Sequence, residues 1–225
     1  MEVFDDRRDA GRRLGAHLAG HLEPIAAPAV VLAIPRGGLP VGAEVARALG
    51  ADFDVVVVRK LRAPHNPELG YGAVGPDGYV EMDEALVARL GLSREDVDRE
   101  VADRREAVDR RLALYRSVAP AATVEGRRVI VVDDGVATGG TARQACGLAR
   151  RLGAVEVILA VPVGPASARR LLGDVADSVV VLSEPAEFLA VGQAYRDFAQ
   201  LDDETALAAL REATGGSARP SDAGS

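Results

Sequence analysis

The chain has 225 residues and a mass of 23.5 kDa, about 1.5 domain equivalents, which argues for one large domain or one domain with a cap rather than two full ones. Apolar residues make up 48% and charged residues 27%, and the longest apolar run, 26–35, falls far short of the ~20 residues that a membrane helix needs. A net charge of −7, the absence of Trp and 4% aromatics offer neither long-range attraction to a phosphate backbone nor stacking platforms for bases, so nucleic acid is a poor partner.

In chain order, the first twenty residues mix acids and arginines where a secretory peptide would carry an apolar core, which implies a cytoplasmic location. His17 and His21 lie four apart on an N-terminal helix, and without a third ligand they read as a solvated face rather than a metal site. AVVLAI (29–34) is a nearly continuous apolar run, as expected of a strand covered on both faces. Pro35-Arg36-Gly37-Gly38 follows it, and a helix over 40–50 stops at Gly50. FDVVVV (53–58) is a second strand, which places Lys60 at the carboxyl edge of a sheet, where α/β ligands bind.

Residues 61–78, LRAPHNPELGYGAVGPDG, read as turns and irregular, mobile ribbon. His65, Glu68 and Tyr71 sit there as candidate acids or bases. Gly70, Gly72 and Gly75 spell a dinucleotide fingerprint, but no strand precedes them and Pro76 follows where a helix should start, so a nicotinamide site is rejected. A charged helix is predicted over 93–116, with Val97, Val101, Val108, Leu112 and Tyr115 on one packed face. Strands follow at 128–133, 155–163 and 177–182, and a helix at 141–153 carries Cys146 as a small buried hydrophobe. The alternation predicts an α/β fold with a doubly wound, mostly parallel sheet, and the last dozen residues should be disordered.

The richest segment is VIVVDDGVATGGTARQA (129–145). A buried strand ends in Asp133 and Asp134, and the chain then makes a small-residue loop into a helix. Backbone N–H groups converging there, with the helix dipole and the hydroxyls of Thr138 and Thr141, suit a phosphate. Two carboxylates beside it suit vicinal hydroxyls, so a ribose 5-phosphate fits. A nucleotide-triphosphate loop would need Lys between Gly140 and Thr141, and a phosphoacceptor pair would not need the Gly-Thr loop. A purely structural strand end would seldom place two acids at a burial boundary.

VIVVDDGVATGGT resembles the 5-phosphoribosyl 1-pyrophosphate (PRPP) signature of the type I phosphoribosyltransferases. IPRGGLPVG (34–42) is similar to that family's pyrophosphate loop, VVRK (57–60) to its strand-end basic residue, and 185–204 to the C-terminal hood of a stand-alone subgroup. The resemblance implies a phosphoribosyltransferase domain over 1–205, with a lid and helical insertion over 61–124 and a hood from about 183 to 205. Residues 206–225 are left as a helix end and a disordered tail.

The implied activity is displacement of pyrophosphate from PRPP by a nitrogen acceptor, usually a nucleobase, with Mg²⁺ held mainly by PRPP, in a homodimer. Arg36, Gly37, Gly38 and Lys60 would serve the leaving diphosphate. Asp133 and Asp134 would hold the ribose, and Ala137, Thr138, Gly139, Gly140 and Thr141 the phosphate. Ala137 departs from the oxopurine-specific members, which carry an acid there, so hypoxanthine and guanine are not the expected acceptors. Base recognition falls to the hood, with Phe188, Tyr195 and Phe198 as stacking candidates. The alternative reading is a non-catalytic sensor of PRPP or a nucleotide on the same fold.

Overall fold

The computed structural model describes residues 3–23, 29–64, 66–76 and 78–215. Five parallel strands form the main sheet in the order β2-β1-β6-β7-β8, with β1 at Val30–Ala33, β2 at Asp52–Val55, β6 at Arg128–Val132, β7 at Glu156–Val163 and β8 at Ser178–Ser183. Each matches a run read from the sequence, except that β2 ends three residues early. Val56, Val57 and Val58 are buried but lie outside the strand, and β3 (Arg59–Ala63) begins directly after them.

The apolar runs are continuous because both faces are covered. Val31, Ala33, Ile130, Val132, Ile158 and Ala160 face α1 (Arg7–His21), α2 (Gly38–Leu49) and α7 (Asp203–Gly215). Their neighbours Val30, Leu32, Val129, Val131, Val157 and Leu159 face α5 (Gly140–Arg151) and α6 (Ala168–Leu172). Helices α1 and α2 touch through glycines, since a Cβ on Gly11 would lie 2.6 Å from the Val41 carbonyl oxygen and one on Gly15 2.7 Å from the Ala48 Cβ. Their relative register is therefore fixed by backbone contact.

The segment expected to be irregular ribbon is a three-stranded antiparallel sheet, β3-β4-β5, with β4 at Asn66–Val74 and β5 at Val80–Met82. Its glycines hid the strand. A Cβ on Gly72 would lie 2.2 Å from the Glu81 carbonyl oxygen, so the glycine is required by close strand approach rather than by a turn. The small sheet's own Leu61, Tyr71, Ala73 and Val74 are buried. Hydrogen exchange is accordingly expected to be slow at the paired amides of 59–61 and 72–74 even without ligand. Fast exchange there would restore the ribbon reading.

After α3 (Glu84–Arg89), the predicted charged helix is α4 (Arg94–Arg116), capped by Ser93 and Asp96, with Val97, Val108 and Tyr115 buried. Its last turn is tied to the main sheet by Arg116, whose two guanidinium nitrogens donate to the buried Asp54 at 2.6 and 3.0 Å. Helix α7 crosses the boundary drawn at 205 and buries Ala206, Ala209 and Leu210, so it belongs to the packed domain. Residues 216–225, most of the stretch expected to be disordered, lie outside the described residues.

Candidate active site

Two loops meet at the carboxyl edge of the main sheet. The amide of Ile34 donates to the Val132 carbonyl at 2.8 Å, so the chain leaving β1 stays beside β6 into the turn at Arg36 and Gly37. A Cβ on Gly37 would fall 2.0 Å from Asp134 Oδ2, and one on Gly38 2.7 Å from the Val132 carbonyl oxygen and 3.0 Å from the Asp133 Cα. The predicted glycines are thus needed where this loop lies directly on the acid pair.

Asp133 Oδ1 accepts the Asp134 amide at 2.9 Å. Burial, and then the Asp134 charge, hold the Asp133 carboxyl well above its usual 3.8. Burial also raises Asp134, opposed by Arg7, whose Nε donates to Oδ2 at 2.8 Å. Because the folded pKa of Asp133 is raised, its contribution to stability is full below 3.8 and is lost as pH rises through the folded value. Asp133→Asn should therefore stabilise the ligand-free protein by about 0.5–2 kcal/mol at neutral pH, with no gain at pH 3. Thermal melts at both values check this, and a destabilised variant at neutral pH would contradict it.

On the β6 side the loop runs through Ala137 and Thr138, both exposed, to Gly139, which caps α5 at φ +75°. A Cβ on Gly140, the first residue of α5, would lie 2.8 Å from Lys60 Nζ. Lys60 therefore holds its ammonium against the positive end of a helix dipole, an arrangement that asks for an anion between them. Lys60 itself lies in β3 rather than at the end of the main-sheet strand. Together with Arg59, Arg62, Asp133, Thr141 and Gln144 it lines a cavity of about 310 Å³, in which three cations face one carboxylate. Gln144 Oε1 is buried there with no hydrogen-bond partner among the described residues.

A second cavity of about 320 Å³ lies on the other side of the acid pair, lined by Arg7, Arg36, Gly37, Asp134, Phe198, Gln200 and Leu201. Arg36 reaches Asp203 at the start of α7 at 3.5 Å, and Arg111 of α4 pairs with the same carboxylate. Of the aromatic candidates only Phe198 faces this cavity. Tyr195 packs between Phe4 and Phe198 and donates its hydroxyl to the Asp134 carbonyl at 2.5 Å, and Phe188 packs beside Phe4 and Val163.

Tyr71 is 2% exposed and inside the core, and burial raises its hydroxyl pKa, which removes it from the candidate bases. His65 lies outside the described residues, and of Glu68 only the backbone, in β4, is described. Cys146 is buried and its thiol pushed up to about 12 by burial, as fits a packing role. The His17 and His21 rings stack at 4.2 Å, and no group of three metal-binding side chains occurs among the described residues. No helix among them is long and apolar enough to cross a membrane.

Sequence reasoning missed Arg7, Gln144 and Asp203. Arg7 and Asp203 reach the site only by tertiary placement, and no local signal marks them. Gln144 was within reach, since it falls one helical turn after Gly140 on the face of α5 that starts at the phosphate-type loop.

Comparison with known proteins agrees with this geometry. Two relatives from Mycobacterium tuberculosis strains, one of them "Putative phosphoribosyl transferase Rv0571c", are each 43% identical over 215 residues, 95% of this chain and 47% of theirs. The chain thus spans about half the length of those curated relatives. The crystal structure of TT1426 from Thermus thermophilus superposes with a TM-score of 0.82 at 43% identity, covering 94% of this chain and 99% of that one. Residues 13–192 match the family described as phosphoribosyl transferase domain, and with the two glycine loops, the acid pair and the parallel sheet behind them the chain belongs to that family.

Proposed function

We propose that the chain transfers the 5-phosphoribosyl group of PRPP to a ring nitrogen of a small acceptor and releases pyrophosphate. The observation that carries this reading is the Lys60 ammonium held against the N-terminus of α5, in one cavity with two more cations and Asp133. In this reading the 5-phosphate sits on the loop from Ala137 to Thr141. Asp133 and Asp134 accept hydrogen bonds from the ribose hydroxyls. The diphosphate lies against the Gly37 and Gly38 amides, Arg36 and Lys60.

The residues fit a metal that arrives with the substrate: Gln144 Oε1, unpartnered among the described residues, lines the same cavity as Asp133 and is a ready acceptor for a metal-bound water. Mg²⁺, when bound, would neutralise charge on the departing diphosphate. The C1–O bond breaks with its electron pair leaving on the diphosphate, and the acceptor nitrogen's lone pair forms the C1–N bond. The ribosyl centre becomes cationic on the way. Asp133 and Asp134 favour that charge, while Arg36 and Lys60 favour the anion that departs.

A proton on the attacking nitrogen would have nowhere to go at Ala137, whose methyl group accepts none. An acceptor already anionic at that nitrogen needs no such base. The cavity that contains Phe198 is then the acceptor side, with one ring face available for stacking. The methyl at 137 also lends some weight to a second reading, a PRPP sensor without turnover. Calorimetric titration with PRPP, with and without Mg²⁺, tests the binding step. Saturable one-site binding that depends on Mg²⁺ is expected, and absence of binding in both would overturn the proposal.

A further inference from the structure

The N-terminal segment and the hood form one cap. Phe4 bridges to Tyr195 through hydrogen bonds of 2.8 and 2.9 Å to Ala194 and from Arg196, and the Asp5 carbonyl accepts from Asp197 at 2.9 Å. Arg7 opens α1 immediately below this bridge, and the glycine contact between α1 and α2 fixes where it stands. Its side chain, 10% exposed, makes three contacts. Nε donates to Asp134 Oδ2 at 2.8 Å, Nη1 donates to the Ala199 carbonyl at 2.9 Å, and the guanidinium lies 4.0 Å from the centre of the Phe198 ring.

We infer that Arg7 is a positioning residue for the proposed transfer, holding the Asp134 carboxylate ionised and oriented while tying the hood to it through Ala199 and Phe198. The inference rests on the PRPP reading of the acid pair. Its physical basis is that a buried carboxylate beside a second one stays charged only with a close cation. Asp134 faces Arg7 from α1, Asp133 from its own loop, Arg36 across the shared cavity and the Tyr195 hydroxyl from the hood. Of these, Arg7 alone donates to the Asp134 side chain among the described residues. The Tyr195 hydroxyl bonds the main-chain oxygen instead. A bond through Nε leaves Oδ1 free to accept a ribose hydroxyl, so the pairing need not be broken when PRPP enters.

Without Arg7, Asp134 would take up its proton at higher pH, because the hydrogen bond and charge that chiefly oppose burial would be gone. The acid limb of Mg-PRPP binding should move to higher pH accordingly. The experiment is calorimetric titration with Mg-PRPP from pH 5 to 8 on the wild type, Arg7→Gln and Arg7→Lys, with thermal melts in parallel. Arg7→Gln is expected to weaken binding by about 10- to 100-fold at pH 6, and by less at pH 8. Arg7→Lys should restore the pH profile in part, since it returns the charge without the fork.

If Arg7→Gln does not fold, the Lys variant decides, because it lacks the fork: an acid limb displaced from that of the wild type is expected, and an unmoved limb would overturn the positioning role. Equal affinity and an equal pH profile in wild type and Arg7→Gln would overturn the positioning role while leaving the PRPP reading intact. No binding by the wild type would remove both.

Discussion

Asp134→Asn is expected to weaken Mg-PRPP binding by about 1–3 kcal/mol, roughly 5- to 150-fold, through loss of charge-assisted hydrogen bonds to the ribose. The carboxylate lines the cavity that also holds Arg36, Gly37 and Phe198, and Arg7 donates to its Oδ2 alone. Unchanged titration heats in Asp134→Asn would defeat the ribose assignment.

The second large effect concerns the acceptor. Turnover with hypoxanthine and guanine should fall below that with the true acceptor by about 10² to 10⁴, the worth of positioned acid–base catalysis. Ala137 is exposed on the loop and offers no proton acceptor, Tyr71 is buried in the core, and Asp133 and Asp134 are engaged with each other and with Arg7. The deficit should appear in kcat rather than in KM, since the missing group acts on a proton in flight. A competition among hypoxanthine, guanine, adenine, uracil and orotate at equal concentration, following nucleotide formation, measures it. Efficient inosine or guanosine monophosphate synthesis would show that the proton is handled by another group, and His65→Ala should then abolish it.

Much of the scaffold was legible because its signal is local. The five main strands are unbroken β-branched runs covered on both faces, and Gly50 and Gly153 adopt positive φ where they stop α2 and α5. The acid pair and its following loop were legible because their residue types are chemically unusual at a strand end. The small sheet β3-β4-β5 was not, since GYGAV reads as turn composition while its glycines answer a neighbour nine residues away, as with Gly72 against Glu81. The early end of β2 was hidden by the unbroken valine run, which cannot mark where pairing stops. Arg7 was hidden for a different reason, because 127 residues separate it from Asp134 and only folding joins them.

The most direct measurement is release of pyrophosphate from Mg-PRPP by the intact chain, followed continuously with each of the five bases in turn and with none. The account predicts release that requires one particular acceptor, is negligible without it, and is lost in Asp134→Asn. Pyrophosphate release with no base present would mean that the site fails to protect the ribosyl centre from water. Tight Mg-PRPP binding with no release for any base would contradict the transfer and make the chain a sensor.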